Sequence, residues 1–165
     1  MIIKEIMNPK VTTCSPETTL EDAALLMWHG DCGTVAVVDG AGAAIGIITD
    51  RDICMAVAFQ HKSPRDIQVQ EVMSRHLFTC QADNDIMSAL KTMSFEKVRR
   101  LPVTNGSGRV EGIISIEDLI ARAERGRRGI QTPELSYDDT MMTLKSVCRT
   151  QGSAGASAGT TADAA

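Results

Sequence analysis

Apolar residues recur at helical spacing in two places along the chain, Leu20, Ala23, Ala24 and Met27 and then Ile86, Ala89, Leu90 and Met93. Such a one-sided stripe belongs to a helix that buries a single face. The first helix is expected to begin at Pro16-Glu17 and the second near Asp83-Asn84, both suitable N-termini. Each stripe follows β-prone residues, Val11-Thr12-Thr13-Cys14 and Leu77-Phe78-Thr79-Cys80. Each precedes two short strands, Thr34 to Val38 with Ala44 to Ile48, and Leu101 to Thr104 with Val110 to Ile114. The strands of each pair are joined by glycine-rich turns, Asp39-Gly40-Ala41-Gly42 and Asn105-Gly106-Ser107-Gly108. A further helix opens at Thr49 in one place and at Ser115 in the other. The order β-α-β-β-α therefore occurs twice.

The two occurrences are copies. At an offset of 66 residues, positions 5 to 53 fall on 71 to 119 without a gap, and thirteen pairs are identical, among them Met7/Met73, Cys14/Cys80, Gly46/Gly112 and Asp52/Asp118. Unrelated segments of average composition would match at about three positions. A unit of about 60 residues buries little by itself, so the copies are expected to hide their sheet faces against each other about a pseudo-two-fold axis. The fold class is α+β: copy one at residues 1–58, a linker at 59–70, copy two at 71–122, a basic segment and short amphipathic helix at 123–150, and a disordered tail at 151–165. That tail, QGSAGASAGTTADAA, has too little apolar surface to offset its ordering entropy.

Composition narrows the function classes. Aromatic residues make up only 3% of the 165 residues, so the core must be aliphatic. Seventeen Lys and Arg against 21 Asp and Glu give a net charge of −4, which supplies no global field for a polyanion and argues against dedicated nucleic-acid binding. No apolar run is long enough to span a membrane, and Lys4 and Glu5 interrupt any secretory core, so a cytoplasmic location is expected. The five cysteines are scattered without a C-x-x-C pair and read as reduced, small core residues. Only Cys148-Arg149 has a basic neighbour, at the edge of the tail, and reads as a bystander thiol. His29, His61 and His76 lack the spacing of a zinc site, and no nucleophile-base pair is evident, so neither a metal nor an enzymatic activity is expected.

The residues with chemistry are Thr49-x-x-Asp52 and Ser115-x-x-Asp118. Locally each is a capping box, in which the hydroxyl accepts from the N3 amide and the acid reaches back to the cap's own amide. A helix start after a buried strand also offers unpaired amides to a phosphate, and a first-turn carboxylate suits ribose hydroxyls. The preceding glycines, Gly46 and Gly112, would let backbone approach a base or sugar.

The whole pattern resembles a tandem pair of CBS domains, the cystathionine β-synthase repeat, also called a Bateman module. The resemblance rests on Ile6-Met7-Asn8-Pro9, on Arg99-Arg100-Leu101-Pro102-Val103, and on Gly46-Ile47-Ile48-Thr49-Asp50-Arg51-Asp52 with Gly112-Ile113-Ile114-Ser115-Ile116-Glu117-Asp118. It implies a stand-alone regulatory module that binds an adenine nucleotide (AMP, ADP or ATP) or S-adenosylmethionine as a regulatory ligand, with no required cofactor. By position, one site would use Val11, Thr12, Ile47, Thr49 and Asp52, and the other Leu77, Phe78, Ile113, Ser115 and Asp118. Arg99 and Arg100 would serve phosphates at the second site through their donor forks, whereas their counterparts in copy one are Gly33 and Thr34. The family further implies a homodimer, with two pairs side by side through their helices, and an unknown regulated protein partner. A ligand-free interaction scaffold is the alternative.

Two C-terminal features stand outside the repeat. Four arginines in Arg122 to Arg128 read as the solvated end of a helix. Thr132-Pro133-Glu134 looks like a helix start, and Tyr137, Met141, Leu144 and Cys148 form one apolar stripe expected to pack on the body, a second subunit or a partner.

Overall fold

The computed structural model describes residues 1–125 and 133–148. Copy one comprises β1 (Thr13–Cys14), α1 (Leu20–His29), β2 (Thr34–Val38), β3 (Ala44–Thr49) and α2 (Asp50–Gln60). Copy two comprises β4 (Cys80–Gln81), α3 (Ile86–Glu96), β5 (Arg100–Thr104), β6 (Val110–Ser115) and α4 (Ile116–Arg122). A further helix, α5 (Tyr137–Cys148), follows. Each copy carries a three-stranded sheet in chain order, β1 parallel to β2 and β2 antiparallel to β3, then β4, β5 and β6 likewise. Gly42 and Gly108, at φ 82° and 81°, close the two hairpins where a side chain would be strained.

The copies exchange the segments that precede them. The Val69 and Gln70 amides, just ahead of copy two, donate to the Thr18 and Pro16 carbonyls of copy one at 2.8 and 3.0 Å. The Ile3 and Lys4 amides donate to the Asn84 and Ala82 carbonyls of copy two at 3.0 and 2.9 Å. Leu20 bonds to Ile67 and Ile86 to Met1 in the same reciprocal way. Farther along, Ser74 bridges to Ile47 and Asn8 to Ile113, each by two amide-carbonyl bonds. Every one of these partners maps onto its counterpart at the 66-residue offset, so the exchange obeys the pseudo-two-fold axis.

The cores follow the exchange. Ile67, Val69 and Met73 complete the apolar cluster of Leu20, Ala23, Met27, Val35, Val37 and Ile48 in copy one. Ile3 enters the cluster of Ile86, Met93, Leu101, Ile114 and Leu119 in copy two. Each such aliphatic side chain is worth about 1.5–3 kcal/mol when fully buried. Ile67 and Val69, which fall inside the expected 59–70 linker, are thus fully buried, while His61 to Asp66 cross the surface.

Three expectations are corrected. The first helix begins at Leu20 under a Thr19 cap and the third at Ile86 under an Asp85 cap, later than Pro16-Glu17 and Asp83-Asn84. The carbonyls of residues 16, 18, 82 and 84 are committed to the exchanged segments and cannot begin a helix. The cysteines divide: Cys14 and Cys80 are buried, Cys32 is half-buried, and Cys54 and Cys148 are exposed. Finally, α5 starts at Tyr137 under a Ser136 cap and presents Thr140, Thr143, Leu144 and Val147 to copy two, leaving Tyr137, Met141 and Cys148 exposed. The apolar stripe seen in the sequence is therefore mostly its outer face. Residues 126–132 and 149–165, which include Arg127, Arg128, Thr132, Arg149 and the expected tail, lie outside the described residues.

Gly46 and Gly112 owe their identity to the exchange. A Cβ on Gly46 would stand 2.8 Å from the Met73 sulfur and 3.0 Å from the Ser74 carbonyl oxygen, and one on Gly112 2.8 Å from the Met7 sulfur and 2.9 Å from the Asn8 carbonyl oxygen. The close approach is that of the other copy's leading segment, in place of the base or sugar expected. Gly46→Ala and Gly112→Ala are each expected to cost roughly 1–3 kcal/mol through forced backbone shifts. Gly40→Ala and Gly106→Ala, with nothing within 4 Å, should be near neutral. Thermal denaturation followed by circular dichroism checks the contrast, and equal melting temperatures for all four would refute it.

Candidate functional site

The antiparallel β2/β3 and β5/β6 hairpins deliver the signature residues to the ends of β3 and β6, where helices begin. Thr49 caps α2: its hydroxyl accepts from the Asp52 amide at 3.2 Å and donates to Asp52 Oδ2 at 2.7 Å, while its own amide donates to Oδ2 at 2.9 Å. Ser115 and Asp118 repeat the arrangement on α4 at 3.2, 2.6 and 2.8 Å. Both capping boxes read from the sequence are therefore present. The same hydroxyl-acid pairing also occurs at Thr19/Asp22 and Ser136/Asp139. Capping is thus a general device of this chain, and the hydroxyl protons of Thr49 and Ser115 are already donated. What remains open at Asp52 and Asp118 is Oδ1, which makes no hydrogen bond among the described residues.

The structure groups the candidate residues differently from their sequence assignment. A cavity of about 290 Å³ is walled by Ile47, Thr49, Asp50 and Arg51 of copy one and by Arg99 and Arg100 of copy two. Arg99 and Arg100, expected with the second cleft, line this cavity beside the first signature together with Gly33 and Thr34, while Arg100 also stands opposite Ser115 of the second signature. Val11, Thr12 and Asp52 are half-buried and lie outside its walls, as do Leu77, Phe78, Ile113, Ser115 and Asp118. Phe78 packs against the copy-two core and against the His76 ring at 4.6 Å between centroids.

Three arginines, Arg51, Arg99 and Arg100, line this space together with Asp50. Arg100 also pairs at 3.6 Å with Glu117 on α4 of the same copy, within the second signature. At the pseudo-equivalent place in copy two, Glu117 stands for Arg51, and Gly33 and Thr34 stand for the two arginines. The clefts are therefore electrostatically unlike, the first cationic and the second not. Asp50 was missed in the sequence reading. It stands against Gly33, whose added Cβ would lie 2.9 Å from Asp50 Oδ2, a closeness between strand ends that no local pattern in the sequence signals.

The family model for the CBS domain matches residues 3–58 and again residues 69–125. The chain belongs to the CBS-domain family. An uncharacterised protein of Methanopyrus kandleri is 34% identical over 119 residues, 72% of this chain, and the chain spans only 60% of that relative's length. The CBS domain-containing protein YhcV of Bacillus subtilis is 33% identical over 117 residues, covering 71% of this chain and 81% of YhcV. Among solved structures, the CBS domain pair of protein MJ0100 in complex with 5′-methylthioadenosine and S-adenosyl-L-methionine superposes with a TM-score of 0.66 at 26% identity, covering 73% of this chain and 94% of that one. Two CBS repeats in one α+β body are thereby established for the part of this chain that matches. No described helix is long and apolar enough to cross a membrane.

Thiol chemistry separates by environment. Burial pushes the Cys14 thiol up to about 11 and the Cys80 thiol up to about 12 from the usual 9.0, with the Thr18 hydroxyl opposing part of the effect at Cys14. Both are therefore protonated and inert near neutral pH. A thiol-disulfide exchange reagent should label Cys54 and Cys148 rapidly in the native protein, and Cys14 and Cys80 only after denaturation. In the unfolded chain these thiols ionise from about pH 9, while in the fold they stay neutral until about pH 11. The stability they contribute is whole below the unfolded value and is lost as pH rises through that window. A melting temperature that held constant from pH 9 to pH 11 would count against this.

Proposed function

We propose that this CBS pair is a regulatory module that binds an adenosyl ligand of the AMP, ADP and ATP class at the cleft of copy one. The carrying observation is the cavity that joins Thr49 and Ile47 of one copy to Arg99 and Arg100 of the other. Guanidinium forks suit phosphate oxygens, and the amides at the start of the eleven-residue α2 add positive potential. In this reading Val11, Thr12 and Ile47 hold the adenine, Asp52 Oδ1 the ribose, and Arg51, Arg99 and Arg100 the phosphates. The copy-two set, Leu77, Phe78, Ile113, Ser115 and Asp118, takes an uncharged or cationic adenosyl group such as that of S-adenosylmethionine. The likeness to the MJ0100 pair, crystallised with two adenosyl compounds, supports the ligand class. A ligand that bridges walls drawn from both copies favours one relative angle between them, and a protein partner in the cytoplasm reads that angle.

A second reading, an empty interaction scaffold, draws on the closed hydrogen-bonding of Thr49 and Ser115. Isothermal titration with AMP, ADP, ATP and S-adenosylmethionine distinguishes the two. On the ligand reading at least one phosphate-bearing nucleotide gives heat, and the double variant Arg99→Gln/Arg100→Gln weakens it by roughly ten- to a hundredfold, the worth of a charged hydrogen bond, while S-adenosylmethionine is little changed. Asp52→Ala lowers the melting temperature on either reading by the loss of a cap, about 1 kcal/mol, but removes the ligand-induced rise only on the first. Absence of heat for every compound at millimolar concentration leaves the scaffold.

A further inference from the structure

Arg100 stands at a junction. It opens β5, lies opposite Ser115 in the β5/β6 register, and lines the cavity beside the first signature with Arg51 and Arg99. Of these three arginines it alone makes an ion pair among the described residues, with Glu117 Oε1 at 3.6 Å. Glu117 occupies the first turn of α4, one position before Asp118. A donor that lines the first cleft is thus held by an acid of the second signature. The pairing has no counterpart in copy one, where Thr34 and Arg51 stand at the equivalent positions.

Two spaces touch Arg100, and only one suits an anion. The hollow of about 460 Å³ beside Trp28 adds Asp31 and Asp50 to an apolar wall of Ala24, Met27 and Ile53, on helices that also expose Leu25, Met55 and Phe59. Two carboxylates against one guanidinium group leave an anion no net attraction there. Three arginines and one carboxylate line the smaller cavity, and Oδ1 of that carboxylate, Asp50, already accepts from the Arg51 amide at 2.7 Å. An anion therefore reaches Arg100 from the smaller cavity, and Glu117 is its competitor for the same donors.

We infer that Glu117 is a positioning residue that sets the phosphate affinity of the copy-one cleft through Arg100 and confines the chain to one phosphate-bearing ligand. The inference rests on the reading of that cleft as a nucleotide site. In the free protein Glu117 holds part of the guanidinium group on α4, and a phosphate must displace it. The exchange is an easy one. The Glu117 side chain is 57% exposed and that of Arg100 33%, so water screens their pairing. The freed carboxylate also stays in the first turn of a helix, where the backbone dipole favours it. Once freed, it leaves an uncompensated negative charge next to Asp118, which repels a phosphate from the copy-two cleft and favours a cationic ligand there. Glu117 stands where copy one has Arg51, so one backbone position attracts a phosphate in the first copy and excludes it from the second.

Isothermal titration with AMP, ADP and ATP of the parent, Glu117→Gln, Arg100→Gln and the double variant tests this. The parent should take one equivalent per chain of the nucleotide that binds most tightly. Glu117→Gln should bind that nucleotide roughly two- to fivefold more tightly, the worth of a partly exposed ion pair. In the Arg100→Gln background the same change should leave the affinity where it was, because the coupling runs through the guanidinium group. Unchanged or weaker binding by Glu117→Gln overturns the inference. So does a gain that persists without Arg100, or a second equivalent bound by the parent as tightly as the first. Those outcomes leave the copy-one cleft a nucleotide site, whereas absence of heat from all three nucleotides removes that reading and the inference with it.

Discussion

The reciprocal exchange of leading segments is the constraint on which the rest of the molecule depends. Each copy lacks one wall of its own core and receives it from the other: Ile67, Val69 and Met73 in one direction, Ile3 in the other. Neither unit can then be a complete folding unit, because detaching it exposes its own apolar cluster and also removes a strand partner from its neighbour. The bonds that fasten the exchange run between amides and carbonyls, so they are indifferent to side-chain identity. They require only that no Cβ stands in the way, which is what the glycines at 46 and 112 secure. A glycine that looks like provision for a ligand is in this chain provision for backbone.

The same exchange sets the geometry of the candidate site. By bridging Ser74 to Ile47 and Asn8 to Ile113, it holds β3 and β6 at a fixed distance from the axis and brings the entries of β2 and β5 side by side. A residue at the start of β5 therefore acts on the cleft of copy one. Arg99 and Arg100 therefore line the same cavity as Thr49, while Arg100 also stands opposite Ser115 in the β5/β6 register.

Much of the fold was legible because its signals are local. Strand limits at Thr34 to Val38 and the caps at Thr49 and Ser115 follow from alternation, turn glycines and capping chemistry, and they stand in the structure where they were read. The helix starts at 16 and 83 fail for a non-local reason: those segments have good N-terminal residues, but carbonyls at 16, 18, 82 and 84 are claimed from 51 to 81 positions away. The stripe on α5 misled in another way. Tyr137, Met141 and Cys148 do share one side of a helix, yet packing on α3 selects Thr140, Thr143 and Ser146, whose small side chains allow close approach and whose hydroxyls bond to nearby backbone carbonyls. Periodicity shows that a helix has two faces. It does not say which one the rest of the chain will take.

Two-fold bonding with unlike side chains is what lets a duplicated unit divide its labour. Arg51 opposes Glu117, Arg99 and Arg100 oppose Gly33 and Thr34, and Trp28 opposes Ser94, all on a backbone whose pairings remain symmetric. Charge accumulates at the cleft of copy one, and open apolar surface accumulates on its helices. The two specialisations are not independent in space. Gly33, Asp50 and Arg100 line both the cavity that holds the arginines and the hollow beside Trp28. Arg100 is anchored in turn to Glu117 of its own copy, inside the second signature. An anion bound by Arg100 competes with Glu117 for the same donors, so the cavity beside the first signature and the first turn of α4 in the second share one guanidinium group.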